Sequence, residues 1–117
     1  MTQKIAKARL RAYNRQGGLC HYCGKPMILA GGGAGICDKA VPRDFLRRMA
    51  CTAEHLIAKR DGGTNAFTNI VAACRFCNST RHARKTPLPP EKYKQLVLKR
   101  LRGGHWHPHQ IQCHFQN

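Results

Sequence analysis

Acidic side chains are scarce in this sequence. Its 117 residues include 21 lysines and arginines but only five aspartates and glutamates, so the formal net charge is +16. A chain with so few acids is suited to a polyanion, and nucleic acid is the usual partner because phosphate contacts release counterions. An anionic membrane surface is the weaker alternative.

Long apolar runs are also missing. No segment approaches the ~18 apolar residues of a membrane-spanning helix, and the N-terminal stretch MTQKIAKARLRAYNRQ lacks the apolar core of a secretory signal. We therefore expect an intracellular protein, cytoplasmic or nucleoid-associated, with no membrane and no small-molecule substrate among its partners. Its oligomeric state is left open by the sequence.

Cysteines are plentiful for so short a chain. A domain of this size buries little apolar surface and needs a further source of stability, such as a cross-link. In a reducing compartment, paired cysteines are more plausible as metal ligands than as disulfides. Two C-x-x-C pairs, Cys20 with Cys23 and Cys74 with Cys77, predict one tetrahedral four-cysteine zinc site. The other three, Cys37, Cys51 and Cys113, are interpreted as ordinary small apolar residues.

Helix and strand signals follow one another along the whole chain. Apolar spacing, proline starts and glycine stops predict the helices, and β-branched runs around turn residues predict a hairpin. In order, the expected elements are a basic helix 3–16, a glycine-rich insertion 28–41, a short helix after Pro42 with Phe45, Leu46 and Met49 on one side, strands 51–58 and 68–74, a helix 78–86 and a last helix within 87–104.

Several of these motifs occur in a recognisable order. A C-x-x-C pair precedes Glu54-His55 in a strand, Gly-Gly-Thr-Asn follows in a turn, and the second C-x-x-C is followed directly by Asn78. Asn69 lies 14 residues after His55, and Asn78 nine after Asn69. Together these features resemble the HNH endonuclease family over about residues 19–85.

The resemblance implies a ββα-metal fold, in which a two-stranded hairpin packs on a helix and one divalent ion lies between them. The expected fold class is therefore a small α+β domain with a four-cysteine zinc site and flanking basic helices. We expect residues 1–117 to form one domain, with the core at about 19–85 and a C-terminal helix and tail at 86–117.

The chemistry of phosphodiester hydrolysis explains why histidine, glutamate and asparagine occur together in these motifs. A water must lose its proton as it attacks phosphorus, and imidazole titrates near neutral pH, so His55 is the candidate general base. Oxygen ligands suit Mg²⁺ or Mn²⁺, and Glu54 and Asn78 can supply them. The family pattern gives Asn69 the role of holding the base and its loop. It also makes His82, one helical turn after Asn78, either a third ligand or a solvent-facing histidine.

Two features depart from a simple reading of the pattern. The commoner acid before the catalytic histidine in the family is aspartate, and Glu54 is one methylene longer. Adjacent side chains of a regular strand also point to opposite faces. Glu54 and His55 can therefore serve one site only if the strand ends, twists or bulges there, and we expect such an irregularity.

Basic side chains surround the motifs. Several of them are expected to contact DNA phosphates, the alternative being a solvated face. These candidates are Arg43, Arg47, Arg48, Arg75, Arg81, Arg84 and Lys85.

The tail is rich in histidine. Its four imidazoles suggest either metal binding or a flexible end. They belong to His105, His107, His109 and His114.

Two functions remain open from the sequence. The first is a metal-dependent DNA endonuclease that leaves 5′-phosphate and 3′-hydroxyl ends. The second is a zinc-stapled nucleic-acid-binding module whose HNH-like core does not catalyse. The presence of Glu54, His55, Asn69 and Asn78 together favours the first.

Overall fold

The computed structural model describes residues 3–29 and 42–108. Most of the glycine-rich insertion predicted at 28–41 lies outside the described residues, as do Cys37, Cys113, His109 and His114. Within these two ranges the chain forms four α-helices and two β-strands. They are α1 (Gln3–Arg15), α2 (Arg43–Arg48), β1 (Cys51–His55), β2 (Ile70–Cys74), α3 (Arg75–His82) and α4 (Pro90–Arg102).

An antiparallel hairpin forms the centre of the fold. β1 pairs with β2 in a regular register in which Cys51 lies opposite Cys74 and His55 lies opposite Ile70. All five residues of β2 are buried, because both α1 and α3 pack on this hairpin. Both strands are shorter than predicted, since pairing begins only at Ile70 and β1 ends at His55.

The loop between the strands turns at the glycine residues, as predicted. A short 3-10 turn at Lys59–Asp61 ends at Gly62, whose φ of 92° is left-handed. A Cβ atom at Gly63 would overlap the carbonyl oxygen of Ile57, so only glycine fits there. The Gly-Gly pair therefore lets the chain turn back sharply beside the end of β1.

Helix α1 is the predicted basic helix. Ala8 and Ala12 are buried on its inner side, and Gly17 and Gly18 end it with φ values of 65° and 78°. Beyond the helix, the side chain of Gln16 accepts from the Ala72 amide and donates to the Ala72 carbonyl, at 2.9 and 2.8 Å. These bonds cover the outer edge of β2.

The start of α3 differs from the prediction. We expected a helix opening at Asn78, but it begins at Arg75 and is capped by Cys74, whose Sγ accepts from the Cys77 amide at 3.4 Å. The second C-x-x-C pair is therefore the first turn of the helix, and Asn78 lies inside it. Sequence reasoning missed this because cysteine is an uncommon N-cap residue.

The remaining helices enclose one hydrophobic core. In α2, Phe45 and nearby Met49 are buried as predicted, but Leu46 is exposed. α4 buries Tyr93 and Val97, and its Tyr93 hydroxyl donates to the Cys77 carbonyl at 2.7 Å. The cysteine pairs lie in this same core, which fits the prediction that a metal staple supplements limited apolar burial.

The architecture is the expected small α+β fold, a ββα unit formed by β1, β2 and α3 with flanking basic helices. Across residues 3–29 and 42–108, no helix has the length and apolar character needed to cross a lipid bilayer.

Candidate metal centre and active site

The two C-x-x-C pairs meet in the interior. Their four Sγ atoms lie within 4.8 Å of one another, and all four side chains are buried. A tetrahedral ion with Zn–S bonds of about 2.3 Å would hold its sulfurs about 3.8 Å apart, and Cys23 Sγ and Cys74 Sγ are 4.0 Å apart. The predicted frame of Cys20, Cys23, Cys74 and Cys77 is confirmed as a group positioned to bind a metal ion such as zinc.

Hydrogen-bond donors surround these sulfurs. The Cys74 amide donates to Cys20 Sγ at 3.2 Å, and the Trp106 indole Nε1 donates to Cys77 Sγ at 3.3 Å. Donors of this kind stabilise and orient metal-bound thiolates. Hydrogen bonding to the other cysteines, Cys20 first, raises the pKa of Cys77, and burial adds to the effect. Without an ion Cys77 therefore keeps its proton, which a bound metal would displace.

Cys51 is separate from this cluster. It is buried in β1, and burial raises the pKa of its thiol to about 11. The prediction of an ordinary buried thiol is confirmed for Cys51.

Glu54 is a buried carboxylate with a fixed orientation. It is only 1% exposed. Its Oε2 accepts from the Tyr22 hydroxyl and from Arg81 Nη1, each at 3.1 Å. Burial, with the Glu54 charge next, raises the pKa of Tyr22, so this hydroxyl keeps its proton and remains a donor. The carboxylate is held through one oxygen, and Oε1 faces another partner.

That partner is His82. Its Nε2 lies 2.8 Å from Glu54 Oε1, a separation that two ligands of one small ion also adopt. The His82 side chain is 36% exposed, so solvent reaches the imidazole, whereas Glu54 is buried behind it. β1 supplies the carboxylate and the last turn of α3 supplies the imidazole.

Asn78 lies one turn earlier in α3. Its Nδ2 donates to Thr52 Oγ1 at 3.0 Å and to the Ala53 carbonyl at 3.2 Å. Both bonds use the amide nitrogen and tie α3 to β1. The amide oxygen is therefore the atom with which Asn78 could bind an ion.

His55 occupies the last position of β1, where the register with β2 ends. The pairing is regular through both Glu54 and His55, with no bulge between them, and β1 ends after His55. His55 Nε2 lies 2.9 Å from Asn65 Oδ1. Because an amide oxygen only accepts, this bond assigns the proton to Nε2 and leaves the Nδ1 lone pair to act as a base.

Asn69 fastens the loop beyond β1. Its Oδ1 accepts from the Ile57 amide at 2.9 Å, and its Nδ2 donates to the carbonyls of Ile57 and Thr64 at 3.0 and 2.8 Å. The imidazole of His55, which the family pattern links to Asn69, is contacted by Asn65 instead. Asn65 therefore holds the imidazole and Asn69 holds the loop, whereas the sequence analysis gave both roles to Asn69.

The predicted DNA-contacting residues fall into two groups. Arg81 is 6% exposed and pairs with Glu54. Arg48 lies over the Phe76 ring with its guanidinium carbon 3.4 Å from the centroid, and it donates to His107 Nδ1 at 3.0 Å. These two arginines have internal partners, and their contact with DNA stays a prediction. The exposed group is Arg43, Arg47, Arg75, Arg84 and Lys85.

The first part of the tail is packed against the domain. Trp106 and His107 are buried, whereas His105 is exposed. Burial, followed by the charge of Arg48, lowers the pKa of His107 to about 4, so His107 is neutral at physiological pH. Residues 106–107 are therefore part of the core, and the alternative of a flexible end is wrong for them.

Sequence reasoning missed Asn65 and Tyr22, and it assigned Arg81 to DNA and not to Glu54. Asn65 belongs to the Gly-Gly-Thr-Asn motif, and that motif was the only signal for it. Tyr22 lies between the cysteines of the first pair, and Arg81 lies between Asn78 and His82 in sequence. Nothing local distinguishes Tyr22 or Arg81, because each acts on a carboxylate from a distant segment.

The zinc-type cysteine frame and the hairpin–helix unit with Glu54, His55 and Asn78 define a ββα-metal type of domain. Residues 20–84 match the family model described as HNH endonuclease. This match covers more than half of the chain, which belongs to the HNH endonuclease family. No curated protein matches the sequence.

Proposed function

We propose that this protein is a metal-dependent DNA endonuclease that hydrolyses phosphodiester bonds. Family membership supports a nuclease acting on nucleic acid. The observation that carries the proposal is the contact between Glu54 Oε1 and His82 Nε2, which is 2.8 Å long. The candidate base His55 is the next residue of β1 after Glu54. One oxygen of a buried carboxylate thus faces an imidazole that could also bind the ion.

Glu54, His82 and Asn78 are the proposed ligands of the catalytic ion. Tyr22 and Arg81 hold Glu54 Oε2, and the Asn78 amide nitrogen is held by β1. This leaves one carboxylate oxygen, one imidazole nitrogen and one amide oxygen as donors. Oxygen ligands suit Mg²⁺, and Mn²⁺ accepts an added imidazole more readily. When bound, the ion supplies positive charge to the scissile phosphate and the departing oxygen.

His55 is the proposed general base. Nδ1 takes a proton from water as the water oxygen bonds to phosphorus, and the bond from phosphorus to the 3′ oxygen breaks. The products are a 5′-phosphate and a 3′-hydroxyl, the latter protonated from solvent. Asn65 holds Nε2–H, which keeps the lone pair on Nδ1. Asn69 supports this step indirectly, because it holds the loop that carries Asn65.

The proposed zinc ion at the four cysteines is structural. It would join the first C-x-x-C pair to the end of β2 and to the first turn of α3. Those are the segments that carry Tyr22, Asn78 and His82. Zinc therefore positions the active site and takes no part in the reaction.

The exposed basic residues are proposed to bind DNA phosphates. They are Arg43, Arg47, Arg75, Arg84 and Lys85. Arg84 and Lys85 also line a cleft of about 630 Å³ together with Lys59, Arg60 and His82. Lys59 and Arg60 extend the surface predicted from sequence, and the cleft brings cations next to a proposed metal ligand.

One observation favours the alternative of a non-catalytic binding module. Arg81 already forms a buried ion pair with Glu54, and such pairs also occur as purely structural contacts. In that case the domain would bind nucleic acid without cutting it.

Incubation with supercoiled plasmid separates these alternatives. The zinc-loaded protein should relax or linearise the plasmid when Mg²⁺ or Mn²⁺ is added. His55→Ala should lose this activity while retaining DNA binding, and the exposed His105→Ala variant should cut like the parent. Binding without any cleavage by the parent would favour the non-catalytic module.

A further inference from the structure

A second basic cleft lies between α1 and the loop after β1. It has a volume of about 370 Å³ and is lined mainly by Lys4, Lys7, Arg11, Asn65 and Phe67. We call it the α1 groove. None of the side chains that line it is acidic, and none of its three cations was among the predicted DNA contacts.

The cations of the α1 groove share one face of the helix. Lys4, Lys7 and Arg11 occupy positions i, i+3 and i+7, which a helix stacks along one side. All three are exposed. The row spans seven residues, or about 10 Å at the helical rise. Such a row is suited to successive phosphates of one nucleic-acid strand.

An aromatic ring lies beside this row. Phe67 is 53% exposed, and the guanidinium carbon of Arg11 is 5.8 Å from the centre of its ring. Exposing so large an apolar side chain gains nothing for folding. An aromatic ring next to phosphate-binding cations is the arrangement with which proteins stack a nucleobase.

The α1 groove is connected to the candidate base. Asn65 lines the groove and also bonds to His55 Nε2 at 2.9 Å. At the other end of the proposed site, His82 lines the cleft that contains Lys59 and Arg84. A strand running from one cleft to the other would pass the proposed cleavage site.

We propose that the α1 groove binds one nucleic-acid strand of the substrate on the His55 side of the proposed active site. Lys4, Lys7 and Arg11 bind its phosphates, and Phe67 stacks on one of its bases. The inference rests on the proposed function for its connection to cleavage, but strand binding by the groove can be measured without cleavage.

Fluorescence anisotropy with a labelled single-stranded DNA oligonucleotide tests the phosphate contacts. It is performed in the His55→Ala background, without added Mg²⁺ or Mn²⁺, over a series of salt concentrations. Replacing Lys4, Lys7 and Arg11 together by Gln should weaken binding and reduce the log–log salt slope by about 2, because three phosphate contacts are lost. The matched control replaces three exposed cations of α4, Lys92, Lys99 and Arg102, by Gln.

The control variant lowers the net charge equally, so it should change the salt slope much less. Single substitutions, each checked by circular dichroism, guard against loss of folding in the triple variants. Equal effects of the two triple variants would overturn the phosphate assignment.

Phe67 is tested with two substitutions. Phe67→Leu keeps an apolar side chain without a ring and should weaken binding of the same oligonucleotide at least about fivefold. Phe67→Trp keeps a stacking surface and should bind at least as well as the parent. Equal binding by the Leu and Trp variants would overturn the stacking contact.

The plasmid assay distinguishes this inference from the proposed function. If the groove substitutions weaken DNA binding but the parent does not cleave plasmid, the groove is supported as a binding site and the nuclease proposal is wrong. If the parent cleaves plasmid but the groove substitutions leave DNA binding unchanged, the nuclease proposal is supported and the groove is not a binding site.

Discussion

At the scale of single residues, the side chains of the candidate site are oriented by hydrogen bonds from other side chains. Glu54 and His55 are neighbours in sequence, yet Glu54 is held by Tyr22 and Arg81 from elsewhere in the chain and His55 by Asn65 from the adjoining loop. Adjacent strand residues point in opposite directions. Each is therefore held by a separate set of partners.

Asn65 should prove to be a positioning residue for His55. Asn65→Ala removes the acceptor of Nε2–H and should lower kcat on the order of tenfold. Asn65→Asp places a carboxylate there, which favours imidazolium, so the acid limb of the pH–rate profile should move to higher pH. The exposed Asn14→Ala variant is the control. An unchanged profile for Asn65→Asp would contradict this role.

The proposed catalytic and metal-binding residues could be named from the sequence, whereas the side chains that support them could not. Glu54, His55, Asn69, Asn78 and His82 stand at spacings that the family pattern identifies. Asn65, Tyr22 and Arg81 are ordinary members of a turn, a C-x-x-C pair and a basic helix. Their partners become visible only after distant segments pack together.

At the scale of elements, the cysteine frame and the proposed active site share α3. Its first turn contains Cys77, its middle contains Asn78 and its last turn contains His82. Proline, glycine and hydrophobic spacing were enough to predict α1, α4 and the hairpin. The start of α3 and the packed residues 106–107 were not predictable, because each depends on contacts with the cysteine cluster or its surroundings.

Trp106 should strengthen metal binding through its indole N–H. Trp106→Phe keeps an aromatic ring but removes the donor to Cys77 Sγ. We expect zinc affinity, measured by competition with a chelator, to fall about tenfold or more. Relative to the parent, the variant should lose more stability in the zinc-loaded form than in the metal-free form, where only the smaller ring matters. An equal loss of stability in both metal-free and zinc-loaded protein would indicate packing alone.

At the scale of the whole molecule, the basic charge and the cysteine frame both agree with the proposed function. The net charge of +16 suits a polyanionic substrate, and two basic clefts adjoin opposite partners of the proposed site, Asn65 and His82. The composition predicted the partner class. It could not indicate which cations would be exposed, because Arg48 and Arg81 look no different in sequence from Arg47 and Arg84.

The choice of substitution matters for testing Glu54. Glu54→Ala would leave Arg81 buried without its carboxylate, and losing one member of a buried pair costs about 3–5 kcal/mol. Loss of activity would then be confused with loss of folding. Glu54→Gln keeps an acceptor oxygen for Arg81 while weakening the proposed metal ligand.

The most direct test of the central claim is the single-turnover rate of DNA cleavage as a function of Mn²⁺ concentration. In His55→Ala the rate should fall on the order of 10²–10⁴-fold at every concentration, with half-saturation unchanged, because only proton transfer is lost. In Glu54→Gln half-saturation should move to higher Mn²⁺, and part of the rate should return there. Parental rates in His55→Ala, or one identical defect in both variants rescued alike by metal, would contradict the account.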